Sequence, residues 1–345
     1  MGVQGERTLR ANRDAFARFA LVPRRLHDVR RADTELQIFG QRLKSPILLA
    51  PVGSLAAYHP DAEGAVAKAA RAHGHHILLS HGSSTPLAEV AELRGDPLWS
   101  QVYASRTQPL TRLWTRRAEA AGCSALVLTV DIVGLPTGRD RIDRFARESN
   151  PDCQPCHDST GRRLLAEAER AARAIGLDPR GAIARSMMLD WDVFDRIRDT
   201  TSMPIVLKGI LSVDDAERAL EHGVDAILVS NHGGRSADHG LASLLALDEI
   251  APVVAGRVPL LVDGGFRRGT DVVTALALGA QAVCVGRPYV WGLAGFGQPG
   301  VEGVLELLQT ELLDAMRQLG RPTLTSLDGS VIRRSPCSAR DHPDH

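Results

Sequence analysis

The stretch PIVLKGILSVDDAERALEHGVDAILVSNHGG, residues 204–234, contains the repeating unit that indicates the fold. Two apolar runs, PIVLKGI from Pro204 and AILVSN from Ala226, have the composition of buried parallel strands. Between them, SVDDAERALEHG has the periodicity of a helix, begins at Ser212, which can cap it, and ends in glycine. The segment therefore predicts a strand, a helix and a second, parallel strand.

The same alternation recurs along the chain. Six further runs have strand composition, namely PILLAPV from Pro46, HILLSHG from His76, PLWSQVY from Pro97, ALVLTVD from Ala125, VPLLVDGG from Val258 and AVCVGRP from Ala282. Helical patterns lie between them, including DAEGAVAKAARAHG from Asp61, TPLAEVAEL from Thr85, LTRLWTRRAEAAG from Leu110 and TDVVTALALGA from Thr270. Eight such units predict an α/β protein with a (β/α)8 TIM barrel, and an open doubly wound sheet is the weaker alternative.

We expect a single domain over residues 1–327, because α/β barrels of this length fold as one unit. The connection over about 132–187, after strand 4, is too long for a plain crossover and predicts a mobile loop at the active site. Residues 328–345 have loop composition and no apolar periodicity. We expect them to form a disordered tail.

Composition excludes several classes of function. The chain carries 41 basic and 41 acidic residues, and this balance indicates no surface for nucleic acid or anionic membranes. No apolar run approaches the roughly 18 residues of a membrane helix, and the N-terminus lacks the pattern of a signal peptide. The five cysteines, an odd number, agree with reduced thiols and so predict a cytoplasmic protein. The balanced charge indicates that the protein acts on a small molecule.

Polar side chains stand at the ends of nearly all the predicted strands. Barrel enzymes build their active sites at the C-terminal ends of the strands, so these side chains are candidate site residues. They are Ser80, Gln101, Tyr103, Thr129, Asp131, Lys208, Ser230, His232, Asp263 and Arg287.

The motif VSNHGGR places His232 and Arg235 at the end of one strand. An imidazole accepts a proton near neutral pH, and a guanidinium binds a carboxylate with two hydrogen bonds. The pair therefore suits a hydroxy acid as substrate. The alternative is a histidine that caps the chain and an arginine on the surface, which would be favoured if the motif stood alone.

Two further charged residues end buried strands. Asp131, in LTVD, can reach across the barrel mouth to orient His232 and stabilise its protonated form. Its alternative role is to cap the following segment. Lys208, in VLKGI, needs an anionic partner, because an unpaired ammonium in an apolar strand is costly.

The last two predicted strands end in DGGFRRG and VGRP. Glycine amides and arginines at this position of a barrel commonly bind phosphate, although both motifs also occur in ordinary turns. The candidates are Asp263, Gly264, Gly265, Arg267, Gly286 and Arg287.

Taken together, these motifs resemble the FMN-dependent 2-hydroxy-acid oxidases and dehydrogenases, which include glycolate oxidase, lactate oxidase, lactate monooxygenase and mandelate dehydrogenase. The likeness extends from Glu6 to Leu327. Its markers, in order, are TLRANRDAF, SPILLAPVG, QVY, LTVD, VLKGI, VSNHGGR, VDGGFRRGTD, ALALGA and VGRPYVWGLA.

The resemblance implies FMN as cofactor and the oxidation of a small L-2-hydroxy acid to its 2-oxo acid, with oxygen or another acceptor reoxidising the flavin. It implies His232 as the base, Arg235 as the substrate anchor and Tyr103 beside flavin and substrate. The flavin would be lined by Pro51, Val52 and Gly53, and hydrogen-bonded by Ser80, Gln101, Thr129, Lys208 and Ser230. The last two strand ends would bind its phosphate. A homotetramer is also implied.

The sequence departs from the family at three points. We expect the family's N-terminal segment, with a tyrosine that contacts the substrate carboxylate, to lack a counterpart before the ERTL motif. The second substrate arginine of the family falls at Gly138, and we expect Arg139 to replace it. His239 is an additional polar residue near the mouth. These departures leave the identity of the hydroxy acid open.

Three other hypotheses remain. The barrel could bind FMN yet be inactive on simple hydroxy acids and act on a larger substrate or as a binding module. A flavin-free, aldolase-like lyase would use Lys208 as a Schiff-base nucleophile. Cys153, Cys156 and His157 form CQPCH, a haem-attachment spacing, but the lack of an export signal favours a redox-active or chance thiol pair. The two cysteines and one histidine of this motif are one ligand short of a four-coordinate zinc site, so no metal site is expected.

Overall fold

Eight short strands form one parallel sheet in the computed structural model, which describes residues 2–104, 108–133 and 189–334. In chain order they are β1 (Ile47–Leu49), β2 (Leu78–Leu79), β3 (Trp99–Val102), β4 (Ala125–Thr129), β5 (Ile205–Ile210), β6 (Ala226–Val229), β7 (Leu260–Asp263) and β8 (Ala282–Val285). The hydrogen-bonded order runs from β2 through β3, β4, β5, β6, β7 and β8 to β1. A parallel bridge between Leu49 and Ile77 joins the two ends, which confirms the predicted barrel.

Helices follow the strands, as the alternating pattern predicted. The described helices are α1 (Arg7–Asp14), α2 (Ala62–His73), α3 (Leu87–Arg94), α4 (Gln108–Ala120), α5 (Trp191–Arg198), α6 (Val213–Glu221), α7 (Ser243–Val254), α8 (Gly269–Ala277) and α9 (Arg287–Leu319). The Ser212 side chain caps α6 by accepting a hydrogen bond from the Asp215 amide. A positive φ at Gly297 kinks α9.

The barrel strands bury both of their faces, and the two faces belong to different cores. Alternate residues such as Val127, Val206 and Leu228 pack with one another inside the barrel. Their neighbours, such as Leu126, Leu207 and Ile227, pack with the surrounding helices. This division follows from the two-residue period of a strand, and it explains why the sequence shows continuous apolar runs.

Two smaller sheets accompany the barrel. A hairpin of Leu36–Ile38 with Gln41–Leu43 places Ile38 and Leu43 against the interior core. The strand Phe19–Leu21 pairs antiparallel with Ile332–Arg334.

The second pairing corrects the predicted tail over 328–345. Residues Gly329–Val331 form a 3-10 turn and Ile332–Arg334 form a strand, because Phe19–Leu21 supplies the partner that the sequence pattern could not reveal. Residues 335–345 lie outside the described residues.

Most of the predicted loop over 132–187 also lies outside the described residues. The same holds for Arg139, Cys153, Cys156 and His157. In the part of the chain that is described, no helix has the length and apolarity to cross a membrane.

Two histidines lie buried at the N-terminal ends of the strands, below the interior core. His75 bonds through Nδ1 to the Ile47 carbonyl at 2.8 Å, and burial lowers its pKa to about 4. His76 packs edge-on against Trp99, and burial, reinforced by the charge of Arg94, lowers its pKa to about 3. Both rings are therefore neutral in the folded protein at pH 7.

We predict that His76→Leu makes the protein less sensitive to acid. Below the unfolded-state pKa of about 6.5, the unfolded chain binds a proton at His76 that the folded chain does not bind. The free energy of unfolding therefore decreases as the pH is lowered. Between pH 6.5 and 5 this difference is worth about 2 kcal/mol of unfolding free energy. Urea unfolding of wild type and variant at both pH values measures it.

The exposed His27 provides the control, since His27→Leu removes a histidine without changing a buried group. An equal loss of stability on acidification in wild type and His76→Leu would show that His76 is not the group that titrates.

Candidate active site

The inward-facing positions of the strands change from apolar to polar at one end of the barrel. Leu78, Trp99, Val127, Val206, Leu228 and Leu261 all belong to the interior core. The residues two positions later along the chain are polar and buried: Ser80, Gln101, Thr129, Lys208, Ser230 and Asp263. Because side chains two residues apart lie on the same face of a strand, these six converge at the C-terminal mouth.

Lys208 occupies the centre of this polar layer. Its Nζ donates to Ser230 Oγ at 2.7 Å and lies 3.2 Å from Asp263 Oδ2 and 4.0 Å from Asp131 Oδ2. Burial acts to lower the pKa of Lys208, but the carboxylates of Asp263 and Asp131 outweigh it and raise the pKa above its ordinary value. The ammonium is therefore a permanent positive charge.

Asp131 connects this ammonium to the imidazole of His232. His232 Nδ1 lies 2.8 Å from Asp131 Oδ1. Burial acts to raise the pKa of Asp131, yet Lys208 and the hydrogen bond from His232 outweigh it, and the pKa is lowered. An ionised carboxylate at Nδ1 fixes the proton of the neutral ring on that atom. Nε2 is then the atom that can accept a proton.

Gly209 lets Asp131 come this close to β5. The strand is irregular between Lys208 and Ile210, where Gly209 has a φ of +116°. A Cβ atom at Gly209 would lie 2.7 Å from Asp131 Cβ, which no side chain tolerates. The close approach of Asp131 thus requires glycine at position 209, in the VLKGI motif.

Uncharged donors and acceptors form a second part of the mouth. Gln101 Nε2 donates to Thr129 Oγ1 at 3.0 Å, and its Oε1 accepts from the His81 amide at 3.0 Å and from Ser80 Oγ at 3.4 Å. Burial raises the pKa of Tyr103, and the charges of Lys208, Asp131 and Arg235 also act on its hydroxyl. Tyr103 therefore stays neutral beside these groups.

Arginine side chains lie on the other side of the mouth. Arg287 Nη2 donates to the Gly233 carbonyl at 2.9 Å, and burial and the charge of Arg235 lower the pKa of Arg287. Burial, together with Arg13 and Arg287, lowers the pKa of Arg267 to about 10. Mutual repulsion of this kind is relieved by a bound anion.

Glycines beside these arginines let helix α1 approach the end of β7 closely. Gly264 and Gly265 have φ values of +96° and +94°, and a Cβ at Gly265 would lie 2.1 Å from the Asn12 carbonyl oxygen. Gly286 immediately precedes α9, so the first amides of that helix face the mouth. The two predicted phosphate motifs thus lie next to each other.

The segment after β1 borders the same space. Pro51, Val52 and Gly53 are half-buried, and the Ser54 amide donates to the Gly82 carbonyl at 2.7 Å. A Cβ at Gly53 would lie 2.9 Å from that carbonyl oxygen. The close approach of these two loops therefore requires glycine at position 53.

Two buried oxygen atoms at the mouth have no hydrogen-bond donor among the described residues. They are Asp263 Oδ1 and Asp131 Oδ2. Buried carboxylate oxygens are normally satisfied, so these two indicate a ligand that brings its own donors, such as hydroxyl groups.

Several residues that stabilise the site have no role predicted from the sequence. The buried Glu63 accepts hydrogen bonds from the amides of Leu55, Ser84 and Thr85 and so ties together the loops after β1 and β2. Asn12 bonds to Asn231, next to His232. Both motifs, TLRANRDAF and VSNHGGR, were visible in the sequence, but nothing in it shows that they touch.

The chain is similar to known proteins over almost its whole length. The chain matches the family model described as FMN-dependent dehydrogenase over residues 1–334. It is 42% identical to an L-lactate oxidase of Nostoc sp., covering 96% of this chain and 91% of the relative. It is 38% identical to a peroxisomal (S)-2-hydroxyacid oxidase of Arabidopsis thaliana, covering 96% and 90%.

Solved structures give the same result. A crystal structure of mandelate oxidase superposes with a TM-score of 0.83 at 37% identity, covering 96% of this chain and 91% of that one. A mandelate oxidase variant solved with an FMN adduct superposes with a TM-score of 0.78 at 37% identity, covering 96% and 93%. The fold, the polar mouth and these matches over almost the whole chain lead to one conclusion: the chain belongs to the FMN-dependent dehydrogenase family.

Proposed function

We propose that this protein oxidises a small L-2-hydroxy acid to the 2-oxo acid, with His232 as the base and Arg235 as the carboxylate anchor. The observation that carries the proposal is the 2.8 Å contact between His232 Nδ1 and Asp131 Oδ1. This contact leaves Nε2 free to accept a proton, on a residue three positions before Arg235. The same Asp131 carboxylate lies 4.0 Å from the permanent cation Lys208.

The donor set at the mouth fits FMN. Ser80, Gln101, Thr129 and Ser230 offer uncharged hydrogen-bonding groups to a heterocycle, and Lys208 offers a positive charge where a reduced flavin is anionic. Asp263 Oδ1, which lacks a donor, suits a ribityl hydroxyl. Arg267, Arg287 and the amides at Gly264, Gly265 and Gly286 suit the phosphate. Pro51, Val52 and Gly53 would line the ring.

Each residue then has a defined task in the reaction. Arg235, with Arg139 as a proposed second anchor, binds the substrate carboxylate and so directs the 2-hydroxyl towards His232 Nε2. His232 takes the hydroxyl proton, and Asp131 stabilises the imidazolium that results. Tyr103 orients the oxygen of the substrate. FMN, when bound, would supply the acceptor for the hydrogen that leaves the alcohol carbon with its bonding electron pair, so that the alcohol becomes the 2-oxo group.

The acceptor, the assembly and the compartment belong to the same proposal. Oxygen as the final acceptor is supported by relatives that are named oxidases. Cytoplasmic location is supported by the free cysteines Cys123 and Cys284, buried in the described part of the chain. A homotetramer is supported by the family resemblance alone.

The direct test is anaerobic mixing of the yellow holoenzyme with L-lactate, glycolate and L-mandelate. We expect at least one acid to bleach the flavin absorbance and to yield the matching 2-oxo acid in a 1:1 ratio to flavin. The D-acids serve as controls. A flavin that stays oxidised with every acid, including larger ones, would favour the alternative of a binding module.

We predict that His232→Gln binds FMN normally but reduces it at least about 1,000-fold more slowly, because the proton acceptor is lost. Stopped-flow absorbance measures the reduction rate, and the flavin-to-protein absorbance ratio measures occupancy. His222→Gln, which changes a histidine on the outside of the barrel next to Asp195, should leave the rate unchanged. A reduction rate of wild-type size in His232→Gln would remove His232 from its role.

We predict that Arg235→Met weakens the use of hydroxy acids about 10- to 100-fold in kcat/KM, because a charge-assisted pair is worth about 1.5–3 kcal/mol. The neutral 2-hydroxy amide of the same substrate should lose little further activity in this variant. Steady-state kinetics with both compounds measures the difference, and Arg257→Met, at an exposed arginine far from the mouth, is the control. An unchanged preference for the acid would place the anchor elsewhere.

A further inference from the structure

We propose that helix α1, through the amide pair Asn12–Asn231, is a positioning element for His232 and Arg235. The inference rests on the proposed function for the role of those two residues, but the contacts themselves are independent of it. Neither asparagine touches the reacting groups in this assignment. Both are positioning residues that act through the turn that follows β6.

The turn has an unusual backbone. His232, Gly233 and Gly234 have φ values of +57°, +64° and +74°, so three consecutive residues are left-handed. This region is unfavourable for a histidine, and such a conformation persists only where its surroundings impose it. The turn is closed by the Gly234 amide, which donates to the Asn231 carbonyl at 3.0 Å and to its Oδ1 at 3.1 Å.

The Asn231 side chain that closes the turn is itself held by α1. Asn12 Nδ2 donates to Asn231 Oδ1 at 2.9 Å, and Asn231 Nδ2 donates to Asn12 Oδ1 at 2.7 Å. Asn12 Oδ1 also accepts from the Ser243 amide at 3.1 Å, and Asn231 Nδ2 also donates to the Leu241 carbonyl at 2.8 Å. Asn12 and Asn231 are almost completely buried, so each lost bond leaves a polar group without water.

The same loop in turn stabilises the start of α1. Glu6 precedes the helix without a side-chain cap of its own. Asp238 supplies one instead, since its Oδ1 accepts from the Thr8 amide at 2.8 Å. The hydrogen bonds from the amides of Thr8, and less from those of Arg7 and Gly5, lower the pKa of Asp238. Helix and loop therefore order each other.

Further contacts make the fit close. Thr8 Oγ1 donates to the Ala237 carbonyl at 3.1 Å and accepts from the Gly240 amide at 2.8 Å. A Cβ at Gly234 would lie 2.7 Å from the Leu9 amide nitrogen. The turn is thus clamped between β6 and α1, with little room to move.

Clamping matters because both proposed functional groups sit on this one turn. His232 Nδ1 must stay 2.8 Å from Asp131 while Arg235 holds the carboxylate. A displacement of the order of 1 Å in a reacting group costs up to about 100-fold in rate. Loss of the amide pair should therefore slow the reaction even though no group that contacts substrate has changed.

The test compares holoenzyme variants Asn12→Ala, Asn231→Ala and the double variant. We expect each single variant to retain FMN and to lose about 10- to 100-fold in the rate of anaerobic flavin reduction. Since the two amides act as one bonded pair, the double variant should be no slower than the slower single variant. Multiplied losses in the double variant would contradict the pair.

A matched control separates positioning from stability. Gln309→Ala removes a side-chain amide that bonds to Ser45 and Thr34, outside the mouth. It should lower the urea midpoint without slowing reduction. If the alanine variants do not fold, Asn12→Asp keeps the shape and the Oδ1 acceptor but sets a carboxylate oxygen against Asn231 Oδ1 in place of the donor, and it should still reduce flavin at least about tenfold more slowly. A wild-type rate in Asn12→Asp would overturn the inference.

A crystal structure of Asn12→Ala, or of Asn12→Asp, keeps the inference separate from the proposed function. If none of the hydroxy acids reduces the flavin of the wild type, the proposed function fails. The positioning role still predicts that His232 Nδ1 moves beyond hydrogen-bond distance of Asp131 in the variant. An unchanged turn in that structure would overturn the positioning role even if the enzyme is a hydroxy-acid oxidase.

Discussion

The carboxylate of Asp131, shared between Lys208 and His232, is the interaction on which the site depends. The ammonium of Lys208 is buried, so it is tolerated only with anionic partners, and Asp263 and Asp131 supply them. Asp131 in turn stays ionised and fixes the orientation of the imidazole. One buried cation thereby sets the charge of a carboxylate, and that carboxylate sets which nitrogen of His232 is available for chemistry.

The barrel makes this arrangement possible by separating stability from chemistry along the strands. The inward positions near the middle of the strands, such as Val127 and Leu228, form an apolar core. Two residues later the same face carries Thr129 and Ser230 at the mouth. At the opposite end, neutral buried histidines and a covering hairpin complete the packing. Changes below the core should thus affect folding, and changes above it should affect the reaction.

Sequence patterns predicted the parts of the molecule whose cause is local. The eight strands and the residues at their ends follow from short apolar runs, and the proximity of His232 to Asp131 follows from the geometry of a closed barrel. The contact between Asn12 and Asn231 joins residues 219 positions apart. Neither this contact nor the pairing of Phe19–Leu21 with Ile332–Arg334 has any local signal. Arg139 lies outside the described residues, so its proposed role stays a prediction.

In the proposed reaction, His232 and Arg235 converge on one substrate. A crystal structure of the holoenzyme with a bound 2-oxo acid tests it most directly. We expect a carboxylate paired with the Arg235 guanidinium and a 2-oxygen within about 3.2 Å of His232 Nε2, with the Nδ1 contact to Asp131 retained. A 2-oxo acid bound over the flavin with its carboxylate on other residues, and with His232 Nε2 out of reach of the 2-oxygen, would contradict it.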